Sequence, residues 1–219
     1  ISKAVGMDKR IGPEFLKPSI GFGGSCFKKD ILNLVYIART YGLNDVADYW
    51  ESVIQINKFQ TDRVSDKIEE FLNGDLSKKT ISILGWAFKK NTNDSRESAS
   101  IQVALNILIK GGSIKIYDPM VSIEKIYIDI NTGLQNKNFS TAKINKLMSK
   151  VKAHKGKYNT IKESNLLIVC TEWDEFKTMD WDKIYQLMKN PKTIIDGRNI
   201  LNKEDLIKRG FKIYSIGQV

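Results

Sequence analysis

The chain has 219 residues, 42% of them hydrophobic and 27% charged, with two cysteines and one histidine. That length holds one large or two modest domains, and the composition is that of a globular protein rather than a disordered or fibrous one; no run approaches a membrane span, and no signal-peptide pattern opens the chain. The net charge of +10 is local: residues 131–160 hold seven lysines and no acid, and without those seven it falls to +3, so it does not by itself call for nucleic acid or a membrane surface.

Residues 1–20 read as a helix end and a loop, punctuated by Gly12-Pro13 and Pro18. The chain opens on Ile1-Ser2-Lys3-Ala4 without a methionine, which is the expectation for a fragment. A glycine cluster, Gly21 to Gly24, then leads through Ser25 to Cys26. A helix is predicted from about Lys28 to Tyr41, with Ile31, Leu34, Val35, Ala38 and Tyr41 on one face, ending at Gly42. Cys26 therefore sits at a helix N-terminus, where unpaired N–H groups favour an anion and make thiolate available. Asp30 follows one turn later and can lie on the same side. A nucleophile with a nearby carboxylate suits acyl or carbonyl chemistry, whereas a cysteine in plain packing is a small hydrophobe. Cys170 ends the apolar run Leu166-Leu167-Ile168-Val169 and reads as a structural strand residue. Two cysteines without framework spacing point to a reducing compartment.

A second helix is predicted from Asn44 or Asp45 to Leu72, with Val46, Trp50, Val53, Ile54, Asn57 and Val64 as its stripe. At 1.5 Å per residue it is about 42 Å long, a length that links domains or packs against a second copy. Residues 1–75 are thus read as an all-helical connecting and dimerisation domain. From Lys79 the rhythm changes. Strands are expected at 80–85, 113–119, 166–170, 193–196 and 211–216, with helices at 99–108, near 181–189 and at 203–209. This alternation predicts an α/β domain, 76–219, with a doubly wound, Rossmann-like parallel sheet that binds ligands at the carboxyl ends of its strands. Residues 119–164 are expected to be a mobile surface excursion holding a short helix around Ile144, Leu147, Met148 and Val151. His154 is expected in solvent, and there is no His/Cys cluster with metal-ligand spacing.

The loop after the first of these strands carries Phe88, Lys89 and Arg96, and the turn Asp196-Gly197 is followed by Arg198. These are either solvated basic loops or an anion site. Gly85 stands alone, so there is no GxGxxG dinucleotide fingerprint. Glu172-Trp173-Asp174 is rich in carboxylates and has no evident role beyond capping the next helix.

Gly21-Phe22-Gly23-Gly24-Ser25-Cys26-Phe27-Lys28-Lys29-Asp30 resembles the nucleophile motif of the nucleotide-sugar dehydrogenase family. The resemblance continues in order through Gly85-Trp86-Ala87-Phe88-Lys89-Lys90, Asp94-Ser95-Arg96-Glu97-Ser98, Tyr117-Asp118-Pro119, Cys170-Thr171-Glu172-Trp173-Asp174 and Asp196-Gly197-Arg198. Phe27 and the Cys170–Asp174 motif favour its UDP-glucose 6-dehydrogenase type. The resemblance implies an NAD-dependent oxidation of UDP-glucose to UDP-glucuronate, in the cytoplasm, by a homodimer or a higher oligomer built on dimers. It implies Cys26 as nucleophile through a thiohemiacetal and a thioester, with Asp30 positioning or activating water. It implies substrate contacts from Phe15, Leu16, Lys17, Pro18 and Ser19, then Ile20, Gly21, Phe22 and Gly23. Phe88, Lys89 and Arg198 would complete that substrate site, and Arg10 would reach the neighbouring subunit's substrate. Cofactor contacts would come from Cys26, Phe27, Lys28, Lys29 and Arg96. It also implies that the family's N-terminal NAD-binding domain is absent, so the stretch alone is expected to be inactive. Sibling enzymes acting on GDP-mannose or a UDP-N-acetylhexosamine would share the chemistry. A non-catalytic dimerisation and nucleotide-binding module is the alternative of a different class.

Overall fold

The computed structural model describes residues 1–13 and 16–217. A short helix α1 (Ser2–Gly6) is followed by α2 (Phe27–Thr40) and the 28-residue α3 (Asn44–Phe71), which fold back on each other across a short turn. Their shared core is small: Ile31, Val35, Ala38 and Ala47, edged by Phe22, Trp50, Val53 and Ile54. Leu34 and Tyr41, expected on the buried face of α2, are exposed, as is Val46 on α3. The apolar periodicity of these helices runs wider than the contact between them.

The second half of α3 has a different fate. Val64, Ile68 and the following Leu72 join the core of the sheet region. Polar contacts hold the same half in place: Asn106 Nδ2 donates to Ser65 Oγ at 3.0 Å, and Lys110 Nζ lies 2.5 Å from Glu69.

That region contains six parallel strands: β1 (Thr80–Leu84), β2 (Ser113–Tyr117), β3 (Val151–Ala153), β4 (Leu166–Val169), β5 (Thr193–Asp196) and β6 (Lys212–Ser215). Their spatial order is β3-β2-β1-β4-β5-β6, the doubly wound Rossmann arrangement, with the order reversing between β1 and β4. β4 and β5 are buried along their whole length, as strands covered on both faces must be. The connecting helices are α4 (Ala99–Ile109), α5 (Ile123–Gln135), α6 (Thr141–Met148), α7 (Lys157–Ile161), α8 (Asp174–Lys177), α9 (Trp181–Leu187) and α10 (Lys203–Lys208). Side-chain caps from Ser98, Ser122, Ser140, Asp180 and Asn202 start five of them. No helix among the described residues is long and apolar enough to cross a membrane.

Residues 119–164 depart from expectation. The short helix expected around Ile144, Leu147 and Met148 is α6, but Val151 lies in the edge strand β3, and α5, β3 and α7 stand where a surface excursion was expected. Ile126, Ile130 and Leu134 of α5 are fully buried. Lysines and asparagines on the outer faces masked a regular apolar stripe, and β3 is too short to register by pattern. His154 is not in open solvent either. It is half-buried; its backbone N–H donates to Ile116 O at 2.9 Å, and burial, followed by the Lys115 and Lys152 charges, lowers its pKa.

A candidate active site at the cysteine turn

Cys26 is the N-cap residue of α2, its thiol exposed, with Ser25 Oγ 3.6 Å from Sγ. Asp30 closes the first turn, its N–H donating to Cys26 O at 2.8 Å, and its exposed carboxylate lies 3.3 Å from Lys29 Nζ. The structure thus brings Cys26 and Asp30 onto one turn. Phe27 meets Phe22 edge to face, and Lys28 Nζ pairs with Glu97 at 2.8 Å.

The segment before the cysteine is clamped from two sides. On the α3 side, Asn57 holds Phe22 twice: its Oδ1 accepts from Phe22 N at 2.8 Å, and its Nδ2 donates to Phe22 O at 3.1 Å. Thr61 Oγ1 donates to Ile20 O at 3.1 Å, and Ser19 Oγ donates to Gly21 O at 2.9 Å. On the sheet side, Gly24 N–H donates to Arg96 O at 2.9 Å. Gly24 has φ +94°, and a Cβ there would stand 3.0 Å from the Phe88 ring, so glycine alone meets both demands. At the other end Ile20 is buried against Gly197, where a Cβ would lie 2.6 Å from Ile20 Cγ2. Residues 20–24 therefore run along the carboxyl edge of the sheet, from the β5 turn to the β1 loop.

That edge is built on two buried aspartates. Asp118, just past β2, takes Trp86 N–H and Ala87 N–H on Oδ2 at 2.6 and 3.0 Å, and Trp173 Nε1–H on the same oxygen at 3.1 Å. Its Oδ1 accepts Met120 N–H and Val121 N–H. Asp196, at the end of β5, accepts Arg198 N–H at 3.1 Å and Leu201 N–H at 2.8 Å, and burial pushes its carboxyl above the usual range. Phe88 lies against Gly24, and the exposed Lys89 keeps its Nζ 5.4 Å from the Phe88 ring centre. Arg96 is gripped by Asp94 through Nε at 3.0 Å and Nη2 at 2.8 Å. Asp94 is the main reason the Arg96 pKa stands above its ordinary value, and Cys26 adds a smaller effect. Arg198 is mostly buried and pairs with Glu172.

One expected residue, Arg10, stands apart from this edge. Arg10 makes a two-pronged pair with Asp8 and faces solvent. Leu16 is half-buried, Lys17 and Pro18 are exposed, and Phe15 lies outside the described residues. Cys170 is buried, and burial pushes its thiol up to about 12, as suits a structural residue. Sequence reading missed Asn57, Asp94, Asp118 and Glu172 as parts of the site. Two signals could have found Asp118: its place in the Tyr117-Asp118-Pro119 motif and its position at the carboxyl end of a strand, like that of the aspartate that ends β5.

A dinucleotide does not fit the β1 turn in the usual manner. The Trp86 and Ala87 N–H groups, which would cradle a pyrophosphate there, are already taken by Asp118. Cationic groups suited to part of a cofactor stand instead around Cys26, on Lys28, Lys29 and Arg96. A groove of about 410 Å³ beside Arg96 is lined by Asp94, Ser95, Ser122 and Lys125 among others. A larger groove, about 630 Å³, lies on α3 between Tyr49, Val53, Ile56 and Phe59.

A doubly wound sheet whose strand order reverses between β1 and β4, overlaid at its carboxyl edge by a cysteine turn, is the architecture of a nucleotide-binding oxidoreductase. The chain belongs to the UDP-glucose/GDP-mannose dehydrogenase family: the family's central domain matches residues 1–59 and its UDP binding domain matches residues 82–203. The chain is 45% identical over 218 residues to a UDP-glucose 6-dehydrogenase of Drosophila melanogaster, covering all of this chain and 45% of that protein. It is 43% identical over 227 residues to UDP-glucose 6-dehydrogenase 1 of Glycine max, covering 46% of it. The chain thus spans just under half the length of these curated relatives. Among solved structures, a UDP-glucose dehydrogenase from the hyperthermophilic archaeon Pyrobaculum islandicum superposes with a TM-score of 0.73 at 28% identity, over 98% of this chain and 42% of that one.

Proposed function

We propose that this stretch is the catalytic-cysteine and UDP-sugar half of a UDP-glucose 6-dehydrogenase, oxidising the C6 alcohol of UDP-glucose to the carboxylate of UDP-glucuronate. The observation that carries the reading is the run of residues 20–24, which holds an exposed cysteine at a helix N-terminus beside the ligand edge of a doubly wound sheet. The 40–45% identities to UDP-glucose 6-dehydrogenases favour UDP-glucose over the sugars of the sibling enzymes.

In this reading residues 1–75 form the helical domain and 76–219 the UDP-sugar domain. Arg198 and Lys89 meet the diphosphate, Phe88 and residues 15–23 enclose the sugar nucleotide, and Arg96 with residues 26–29 faces the nicotinamide cofactor. The four-electron oxidation releases two hydrides, for which two NAD molecules would be the acceptors, one each, and the hydroxyl proton of the alcohol leaves to solvent with the first. At the aldehyde level the Cys26 thiolate adds to C6 and forms a thiohemiacetal. Loss of hydride from that carbon leaves a thioester. Asp30 orients a water and takes its proton as the C–S bond breaks, giving the carboxylate and restoring the cysteine. The exposed faces of α2 and α3 suit a second copy of the chain, with Tyr49, Ile56 and Phe59 each at least 60% exposed. Arg10 would then serve the neighbour's substrate.

The test is Cys26→Ser in the full-length protein. Turnover is expected to fall by roughly a thousandfold or more, with UDP affinity nearly unchanged. Near-normal turnover would remove covalent catalysis from the reading. Iodoacetamide should label Cys26 in the native protein and reach Cys170 only after unfolding.

A further inference from the structure

The four residues after Cys170 touch both cationic loops at once. Toward the β1 loop, Thr171 Oγ1 donates to Ala87 O at 2.6 Å, and Lys90 N–H donates to Glu172 Oε1 at 3.4 Å. Lys90 Nζ lies 3.2 Å from Asp174. Toward the β5 turn, Glu172 Oε2 pairs with Arg198 Nη2. β4 lies between β1 and β5 in the sheet, so a carboxylate at its carboxyl end is flanked by both loops. The side chains of Arg198 and Glu172 are only 16% and 25% exposed. A guanidinium that far out of water needs a partner, and one carboxylate oxygen leaves most of its five N–H donors for another acceptor.

We infer that Glu172 is a positioning residue for nucleotide binding: it aims the Arg198 guanidinium at a nucleoside diphosphate and ties it to the Lys89–Lys90 backbone, so that both cationic loops keep one spacing. The inference rests on the proposed meeting of Arg198 with the diphosphate. A carboxylate beside the guanidinium also reduces its pull on phosphate. Order outweighs this here, because the pair is largely buried and Arg's planar fork acts through fixed geometry more than through net charge.

The experiment is a calorimetric titration of UDP into the full-length protein, as parent, Glu172→Gln, Arg198→Ala and the double variant. Glu172→Gln is expected to weaken UDP roughly tenfold, the size of one charge-assisted contact. In the Arg198→Ala background the same change should add nothing, since Glu172 acts through Arg198. In turnover, Glu172→Gln should raise KM for the nucleotide sugar with kcat nearly unchanged. Unchanged or tighter UDP binding by Glu172→Gln, with Arg198→Ala still impaired, overturns the inference and leaves the proposed function standing. Equal weakening by Glu172→Gln in both backgrounds also overturns it, because the effect would not pass through Arg198. Should Arg198→Ala bind UDP as the parent does, the placement of the diphosphate fails first and the inference with it.

Discussion

The sheet region and the helical pair carry similar apolar side chains and treat them differently. Ile81, Ile83, Leu166 and Ile168 are at zero exposure, whereas Leu32, Ile37, Tyr49, Ile56 and Phe59 stand 42–67% exposed on α2 and α3. A parallel sheet flanked by helices covers both of its faces from within one chain. Two helices packed on each other can bury only one stripe apiece, and the rest of their apolar surface stays open. The same residue type therefore stabilises the fold in one region and offers a contact surface in the other.

A pair of truncations puts that contrast under the greatest strain. Ile83→Ala in the sheet core should cost about 3–4 kcal/mol in denaturant unfolding, through lost transfer energy and the cavity left behind. Ile56→Ala on α3 should cost the isolated fold less than about 0.5 kcal/mol, as surface changes do. Equal costs would mean that α3 is covered within its own chain.

A more modest change is expected from Ile56→Ser combined with Phe59→Ser. If that face meets a second copy, the double change should weaken dimerisation at least about tenfold while leaving the fold intact. Sedimentation velocity across a concentration series reads this directly. A monomeric parent would assign the face to another partner.

The seam between the regions, where Gly24 bonds to Arg96 O, should respond least. The Arg96 guanidinium holds the Asp94 carboxyl below the usual carboxylate range. Because the folded pKa is the lower one, this stabilisation is complete above the unfolded value, near 4, and is lost as pH falls through the lowered folded value. Asp94→Asn should therefore flatten the acid side of the stability curve, by less than about 1 kcal/mol, since Arg96 is 65% exposed. Urea midpoints measured from pH 7 down to pH 3 test it.

Local signals were legible wherever one segment carried its own evidence. Cys26 stands at the start of α2 because glycines precede it and an apolar stripe follows, and the long α3 was plain from its uninterrupted helical pattern. Legibility failed where a partner lies far along the chain. Asn57 reads as part of a helix stripe, yet it grips Phe22 from 35 residues away. Glu172 reads as a helix cap, yet no side-chain cap bond starts α8, and the carboxylate meets Lys90 N–H across 82 residues.

Unlike α5, five of the six strands, helices α2, α3, α4, α6, α9 and α10 and the turn that presents the cysteine follow from local amino-acid pattern. Each depends on the period of apolar residues and on nearby glycine, serine or asparagine, interactions that reach only a few residues. Three outcomes needed the folded chain: residues 119–164 complete the sheet, Asp118 occupies the amides of the β1 turn, and Glu172 joins Arg198 to the neighbouring loop. They depend on which strands lie side by side. That order is set by burying both faces of the sheet at once, a condition no short stretch of sequence expresses.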